Sequence, residues 1–284
     1  MDYRFADDLI SIREILDLSQ SDLSSQLNVM QATISRNESG KTEPSPKLIE
    51  QVYSYAFRNN VRLNKLKEMF WEESMSDDHK LLFHGSKAGI NGPISIKAGR
   101  ANNDFGRGLY TGESYEQAAS FISGFDNSSV YLLDLAPGDL KCRKYNVDQD
   151  WMLTIAYYRG AIEQYKEHPV IKDLIRKSRE CDYIIAPIAD NRMFQIIDSF
   201  IFGEITDEQC RHCLAATDLG NQYVFISDKA ASCVKILEHC YVSRAEKEYY
   251  NRKKEEDLRL GDNKVKLARI KYRGKGRYID EILV

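Results

Sequence analysis

Two short motifs carry the side chains best placed to do chemistry. In the first, His84, Gly85 and Ser86 follow an apolar run at residues 81–83 that has the composition of a buried strand. A histidine at the end of such a strand sets a hydrogen-bond donor and acceptor beside a glycine, where a ligand can approach the backbone closely. The alternative for a single histidine is a structural role.

The second motif is the glycine-rich turn Asp104-Phe-Gly-Arg-Gly-Leu-Tyr110. Gly106 and Gly108 allow the chain to bend tightly, and Tyr110 then presents its ring at the end of a strand. The alternative is a glycine turn with a tyrosine packed in the core.

Strands and helices alternate over the part of the chain that contains both motifs. Apolar or alternating runs bounded by turn residues predict strands at residues 81–83, 130–135, 183–186 and 223–226. Helical periodicity predicts helices at residues 115–123, 150–164, 169–180, 193–200, 207–216 and 229–237. Such a mixture is typical of an α+β domain.

Taken together, the two motifs resemble the ADP-ribosyltransferase fold, in particular the poly(ADP-ribose) polymerase and diphtheria-toxin branch with its His-Tyr-Glu constellation. The chain is still more similar to a bacterial family of small transferase-like proteins, often found in toxin–antitoxin or phage-defence operons. The resemblance covers residues 81 to about 237, including CDYIIAPIADN and NQYVFISDKA. It implies an α+β domain with a split sheet, with NAD as substrate and no metal.

The resemblance also assigns roles to single residues. His84 would bond the hydroxyls of the ribose next to adenine, and the Gly85 backbone would meet the nicotinamide amide. Tyr110 would stack on the nicotinamide ring, with Phe121 on its other side. Ala118 stands where relatives place a serine that bonds the carboxamide, so one contact is missing. The remaining residues of the implied NAD site are Ser86, Arg100, Gly108 and Asp190.

The largest departure from the family is Gln222, which stands where relatives carry the catalytic glutamate. That glutamate bonds the 2′-hydroxyl of the nicotinamide ribose and offsets the positive charge of the oxocarbenium-like transition state. A glutamine keeps the hydrogen bond but supplies neither charge nor a base. Three interpretations follow: an acceptor that needs little deprotonation, a substitute carboxylate such as Asp190, or a site that binds NAD without reacting.

Two side chains near the implied site have ordinary structural alternatives. Asp190, followed by Asn191 and Arg192, favours a turn with a helix cap over a catalytic role. Arg159 follows two tyrosines on a predicted helix, and core packing of the tyrosines with an exposed arginine is favoured over a cleft-lining role.

The function that the resemblance implies is NAD-dependent mono-ADP-ribosyl transfer by a toxin or phage-defence effector. The acceptor stays open among protein, RNA, DNA and water. The alternative is a DNA-binding transcriptional regulator whose degenerate transferase domain senses NAD or ADP-ribose without catalysis.

The first 73 residues predict an all-α bundle of five helices. Ser19 and Asp22 have the spacing of a capping box at the start of the second helix. Ser45 caps the fourth helix, which Pro46 opens.

This stretch resembles the Cro and lambda-repressor helix-turn-helix family through LSQSDLSSQLNV, TISRNESGK and the following EPS, over residues 11–56. The resemblance implies DNA as a partner and a homodimer. The residues implied to face bases are Gln31, Ala32, Thr33 and Ser35. Those implied to lie near phosphates are Gln20, Arg36 and Lys41.

Two features of this module depart from the family. Met30 occupies a place that usually holds a capping serine or threonine, so the recognition helix starts less firmly. Residues 1–76 carry 9 basic and 12 acidic side chains, whereas DNA-binding domains are usually basic. The alternative is a module that dimerises or docks a protein partner such as an antitoxin.

A length of 284 residues accommodates two domains. The predicted boundaries are residues 1–73 for the helix-turn-helix domain, 74–80 for an acidic linker, 81–240 for the transferase-like domain and 241–284 for a charged extension. No run approaches the ~18 apolar residues that a membrane helix needs, so we expect no membrane-spanning helix. The N-terminus lacks the pattern of a secretion signal, so we expect a cytoplasmic protein with six reduced cysteines.

The extension from residue 241 is basic, with 13 basic and 8 acidic side chains. Its segment Lys271-Tyr-Arg-Gly-Lys-Gly-Arg277 could track nucleic acid. Equally, Tyr278, Ile279 and Ile282 could pack a tail strand on the second domain.

A zinc site is not expected. Cys210-x-x-Cys213 lies in a predicted helix, and the later cysteines are too far apart for the second half of such a site.

Overall fold

A computed structural model describes residues 3–216 and 219–284, which form thirteen α-helices and seven strands. The helices are α1 (Phe5–Ile15), α2 (Gln20–Leu27), α3 (Gln31–Glu38), α4 (Pro46–Arg58), α5 (Leu63–Ser74), α6 (Tyr115–Ile122), α7 (Gln149–Tyr158), α8 (Pro169–Arg179), α9 (Asn191–Ile201), α10 (Asp207–Ala215), α11 (Asp228–Ser232), α12 (Arg244–Lys271) and α13 (Ile279–Ile282). The strands are β1 (Lys80–Ser86), β2 (Leu109–Gly112), β3 (Ser129–Leu135), β4 (Cys142–Lys144), β5 (Tyr183–Pro187), β6 (Asn221–Phe225) and β7 (Val234–Tyr241).

The chain divides into two compact units. The first unit comprises Met1–Gly89, Ser114–Asp134 and Ile236–Lys253, and the second comprises Ile90–Glu113, Leu135–Lys235 and Lys254–Val284. The first unit therefore contains the five N-terminal helices together with β1, α6 and most of β3 and β7. The architecture is a helical N-terminal region followed by an α/β domain with strands of mixed direction.

The N-terminal helices form where the capping signals predicted them. Ser19 accepts a hydrogen bond from the Asp22 amide at 3.1 Å, and Asp22 accepts one from the Ser19 amide at 3.0 Å, so the capping box is confirmed. Ser45 caps α4 and Pro46 opens it, as predicted. Met30 gives α3 no side-chain cap, as predicted. The apolar faces of α1 to α4 pack against one another and form one core, which includes Leu9, Ile12, Leu23, Ile34 and Val52.

The Ser19 cap gives a first testable prediction. Ser19→Ala should lower the free energy of unfolding of the first unit by about 1 kcal/mol, because the Asp22 amide loses its acceptor. Urea unfolding followed by Trp71 fluorescence in a Trp151→Phe background measures this change. Ser25→Ala is the matched control, since the exposed Ser25 hydroxyl only donates to the Ser21 carbonyl within the same helix. An equal loss in both variants would contradict the capping role.

Four strands of the second unit lie in the order β4-β5-β6-β2. β4 and β5 are parallel, whereas β6 is antiparallel to both β5 and β2. In this register Gln222 of β6 pairs with Gly112 of β2 and with Ala186 of β5. In the first unit, β3 lies between β1 and β7.

Three predicted elements of the second part of the chain were wrong in extent or type. The helix predicted at residues 229–237 ends at Ser232, and β7 follows from Val234. The helix predicted at 150–164 ends at Tyr158, because Gly160 turns the chain at a φ of +78°. The tail strand, one of two alternatives for this segment, is instead the short helix α13, with Ile279 buried in the core of the second unit.

Candidate functional site

The first unit holds the His-Gly-Ser motif at the end of β1. His84 is half-buried there. A Cβ atom on Gly85 would lie 2.8 Å from both the Ala118 carbonyl oxygen and Ile122 Cγ2 of α6. A side chain at residue 85 would therefore push α6 away from β1, so the packing of this helix on the strand requires glycine.

Ser86 and Phe121 lie in the same unit. The Ser86 hydroxyl donates to the Gly89 carbonyl at 2.9 Å and so helps to shape the turn after β1. Phe121 is 59% exposed, and the Lys87 ammonium lies 5.5 Å from its ring centroid and 4.0 Å from that of Phe125. An exposed aromatic ring can stack on a planar group, and the neighbouring ammonium can attract an anionic one.

The glycine-rich turn of the second unit is closed by Tyr110. Its hydroxyl donates to the Gly106 carbonyl at 2.8 Å and accepts from the Phe105 amide at 3.0 Å. Burial raises the pKa of the Tyr110 phenol well above its ordinary value, so the hydroxyl stays protonated and able to donate. Gly108 is required by packing, since a Cβ there would lie 2.7 Å from the Phe225 carbonyl oxygen of β6.

Gln222 is buried and its amide is fixed by two acceptors. Its Nε2 donates to Asp104 Oδ2 at 2.8 Å and to the Pro187 carbonyl at 3.1 Å. Because both partners are acceptors, they set the orientation of the amide, and Oε1 is the atom that can accept a further hydrogen bond.

Asp104 connects Gln222 to Arg159. Asp104 Oδ1 accepts from Arg159 Nε at 2.8 Å and also from Nη2. Arg159 Nη2 donates in addition to the Ala189 carbonyl at 2.8 Å, and its guanidinium lies 4.4 Å from the ring centroid of Phe194. The result is a buried polar network of three side chains, which we call the Asp104 network (Asp104, Arg159 and Gln222).

Sequence reasoning included Gln222 among the site residues but missed Asp104 and Arg159. The expected exposed arginine was wrong, because the Arg159 side chain is only 19% exposed and is ion-paired. The sequence signal for the ion pair was a charged residue at each of two places. Asp104 stands at the start of the glycine-rich motif, and Arg159 directly follows α7. Their pairing depends on the tertiary structure and is not visible in the spacing.

The other implied NAD-site residues have structural roles or are exposed. Asp190 is the N-cap of α9 and accepts from the Met193 amide at 2.8 Å, so the predicted helix cap is confirmed. Arg100 is exposed. Ala118, in the first unit, is buried on the inner face of α6.

In the helix-turn-helix module, the outer face of α3 carries most of the predicted DNA contacts. Gln31, Ala32, Arg36 and Lys41 are exposed, and Thr33 and Ser35 are half-buried. Gln31 Nε2 donates to Gln20 Oε1 at 2.8 Å, and Gln20 Nε2 donates to Glu38 Oε2 at 2.7 Å. The first bond joins the first residues of α2 and α3, and the second joins the start of α2 to the last residue of α3. The arrangement suits a helix that enters the major groove of DNA.

The cysteines lie apart from the two motifs. Cys210 and Cys213 are buried in α10, and all six cysteines are free thiols. Over residues 3–216 and 219–284, no cluster of three or more metal-ligating side chains occurs. Within the same residues, every helix is too short or too polar to span a bilayer.

Comparison with known proteins gives two matches. Residues 81–236 match the profile of a family described as Protein of unknown function (DUF3990). Residues 9–52 match the Helix-turn-helix family HTH_3. No curated protein and no solved structure shows significant similarity to the chain.

Proposed function

The chain belongs to the DUF3990 family of proteins of unknown function and begins with a helix-turn-helix DNA-binding module; we propose that its second domain is an NAD-dependent mono-ADP-ribosyltransferase. The observation that carries the proposal is the fixed orientation of Gln222 at the position where similar enzymes place a glutamate. The Asp104 network holds the donor side of this amide, and Oε1 is then suited to accept a hydrogen bond from a ribose hydroxyl.

The proposed reaction breaks the bond between the nicotinamide ring nitrogen and C1′ of its ribose. The electron pair of that bond leaves with nicotinamide, and the sugar passes through an oxocarbenium-like state. A nucleophilic oxygen or nitrogen of the acceptor then bonds to C1′ and loses its proton. Gln222 Oε1 would stabilise the ribose in this state through its hydrogen bond, with a smaller electrostatic effect than a carboxylate has.

Tyr110 of the second unit has its own role in this proposal. Its hydroxyl is bound to the Gly106 carbonyl, and the face of its ring would stack on nicotinamide.

A second candidate function rests on the charge balance of the Asp104 network. Asp104 is the carboxylate nearest to Gln222, but Arg159 neutralises it. A site without a net negative charge stabilises a cationic transition state poorly. The chain would then bind NAD or ADP-ribose without cleaving it, and would act as a ligand-sensing DNA-binding protein.

Nicotinamide release from NAD by the full-length protein distinguishes the two functions. We expect release that requires an acceptor in added cell extract and that falls by roughly a hundredfold in Tyr110→Ala or Gln222→Ala. His168→Ala is the matched control, because His168 only caps α8 and contacts the Val284 carbonyl. Release that is unchanged in both site variants would overturn the proposal. NAD binding without any release would establish the second candidate.

A further inference from the structure

We propose that the second unit carries a basic surface that binds the phosphate backbone of double-stranded DNA without regard to sequence. The basic surface consists of Arg211 on α10 together with Lys271, Arg273 and Lys275 at the end of α12. This inference does not depend on the proposed transferase activity, because none of these residues belongs to the implied NAD site.

Two stacked rings hold the basic surface together. The rings of His212 and Tyr272 lie 3.5 Å apart at their centroids and within 9° of parallel. The Lys271 and Lys275 ammonium groups lie 5.4 and 5.1 Å from the Tyr272 ring centroid. Arg211 Nη2 lies 3.3 Å from His212 Nε2. Cations from α10 and from the end of α12 are thus gathered around one aromatic pair.

The cations of the basic surface are exposed and are not neutralised by ion pairs. Among residues 3–216 and 219–284, no ion pair within 4.0 Å includes Arg211, Lys271, Arg273 or Lys275. Two acidic side chains at the start of α10 have other contacts: Glu208 lies 3.7 Å from His212, and Asp207 Oδ1 accepts from the backbone amide of Arg277 at 2.7 Å. Exposed cations without partners exchange their counterions for phosphates at little cost.

Helix α8 of the same unit provides a contrast. Its basic side chains are also exposed, but Arg176 pairs with Asp173 and Glu180, and Lys177 pairs with Asp173. Lys172 pairs with Glu167. Charges neutralised in this way release few counterions when a polyanion approaches, so this face is a natural comparison.

The arrangement fits duplex DNA better than single strands. A single-stranded binder needs an open aromatic face on which bases can stack. Here one face of Tyr272 is covered by His212, and two ammonium groups lie beside the ring. The helix-turn-helix module of the same chain is net acidic, so a separate basic surface would supply the electrostatic attraction to DNA that this module lacks.

The test measures the salt dependence of DNA binding by the full-length protein. A short fluorescent duplex of arbitrary sequence is titrated by anisotropy between about 50 and 200 mM salt. The triple variant Lys271→Gln, Arg273→Gln, Lys275→Gln should reduce the slope of log K against log salt by about 3, since each lost phosphate contact removes about 0.9. The control variant Lys172→Gln, Arg176→Gln, Lys177→Gln removes the same charge and should change the slope by less than about 1.

Three results would overturn the inference. The first is an unchanged slope in the tail variant with unchanged thermal stability. The second is an equal decrease in both variants, which would reflect net charge only. The third is a tail variant that loses binding to anionic phosphatidylserine vesicles but keeps its DNA affinity, which would assign the surface to a membrane. If the triple variant fails to fold, each single substitution should still reduce the slope by about 0.9.

Discussion

Asp104→Ala is expected to lower the free energy of unfolding of the second unit by roughly 3 kcal/mol. The substitution removes the acceptor of both Arg159 Nε and Gln222 Nε2 and leaves a guanidinium and an amide without their main partner. Removing one partner of a buried ion pair lowers the free energy of unfolding by more than the intact pair contributes, because the remaining charge stays desolvated without a partner. Arg159 retains its bond to the Ala189 carbonyl and some exposure, so the loss lies at the lower end of the usual range.

Urea unfolding at pH 7 measures this loss. Trp151 is fully buried in the second unit, so its fluorescence in a Trp71→Phe background follows that unit. Asp190→Ala is the matched control, since Asp190 only caps α9 and its removal should cost about 1 kcal/mol. If Asp104→Ala costs no more than Asp190→Ala, the network does not stabilise the second unit.

The free energy of unfolding of the first unit should vary by roughly 3 kcal/mol with pH because of Glu246. Glu246→Gln is expected to abolish this variation. Glu246 lies at the start of α12 and is 7% exposed. Its carboxylate accepts from the Tyr115 hydroxyl at 3.0 Å and from Asn64 Nδ2 at 3.1 Å. Burial outweighs these bonds and raises the pKa of Glu246 from 4.5 to about 7.

The sign of the effect follows from proton binding. Between pH 4.5 and about 7 the folded state holds a proton at Glu246 that the unfolded chain has lost. Its stabilising contribution is therefore complete below pH 4.5 and is lost as the pH rises through 7. The wild-type chain should lose roughly 3 kcal/mol between pH 5 and pH 8 relative to Glu246→Gln.

Chemical unfolding of both proteins at several pH values, followed by Trp71 fluorescence, gives this difference directly. Glu248→Gln serves as the control, because Glu248 is exposed and pairs only with Arg244 on the same helix. Parallel stability curves for the wild type and Glu246→Gln would contradict a raised pKa at Glu246.

The N-terminal helices could be predicted from sequence because local signals determine their ends. The Ser19–Asp22 box, the Ser45 cap and Pro46 act over three or four residues, and each is read directly from the chain. The missing cap at Met30 was predictable for the same reason.

The second part of the chain was less predictable because its strands are short and their partners are distant. β4 has three residues, and its pairing with β5 depends on residues about 40 positions later. In β7, the run Val-Lys-Ile-Leu also fits a helix, and only its place beside β3 decides that it is a strand.

In the candidate site, too, the local features could be predicted from sequence and the contacts between distant residues could not. Gly85 and Gly108 were found through their motifs, and the close contacts they make explain why a larger residue does not fit. The Asp104 network was missed because it joins residues 104, 159 and 222, which no spacing rule connects. The role of Gln222 was inferred from resemblance alone, and its fixed orientation became visible only with its partners in place.

Transfer of ADP-ribose by this chain is tested most directly with labelled NAD. NAD labelled in its adenylate half is incubated with the full-length protein and cell extract, and the label is followed into macromolecules. We predict label in a macromolecular fraction, lost in Tyr110→Ala and retained in the His168→Ala control. Recovery of all the label as intact NAD, from a protein that binds NAD, would contradict the claim.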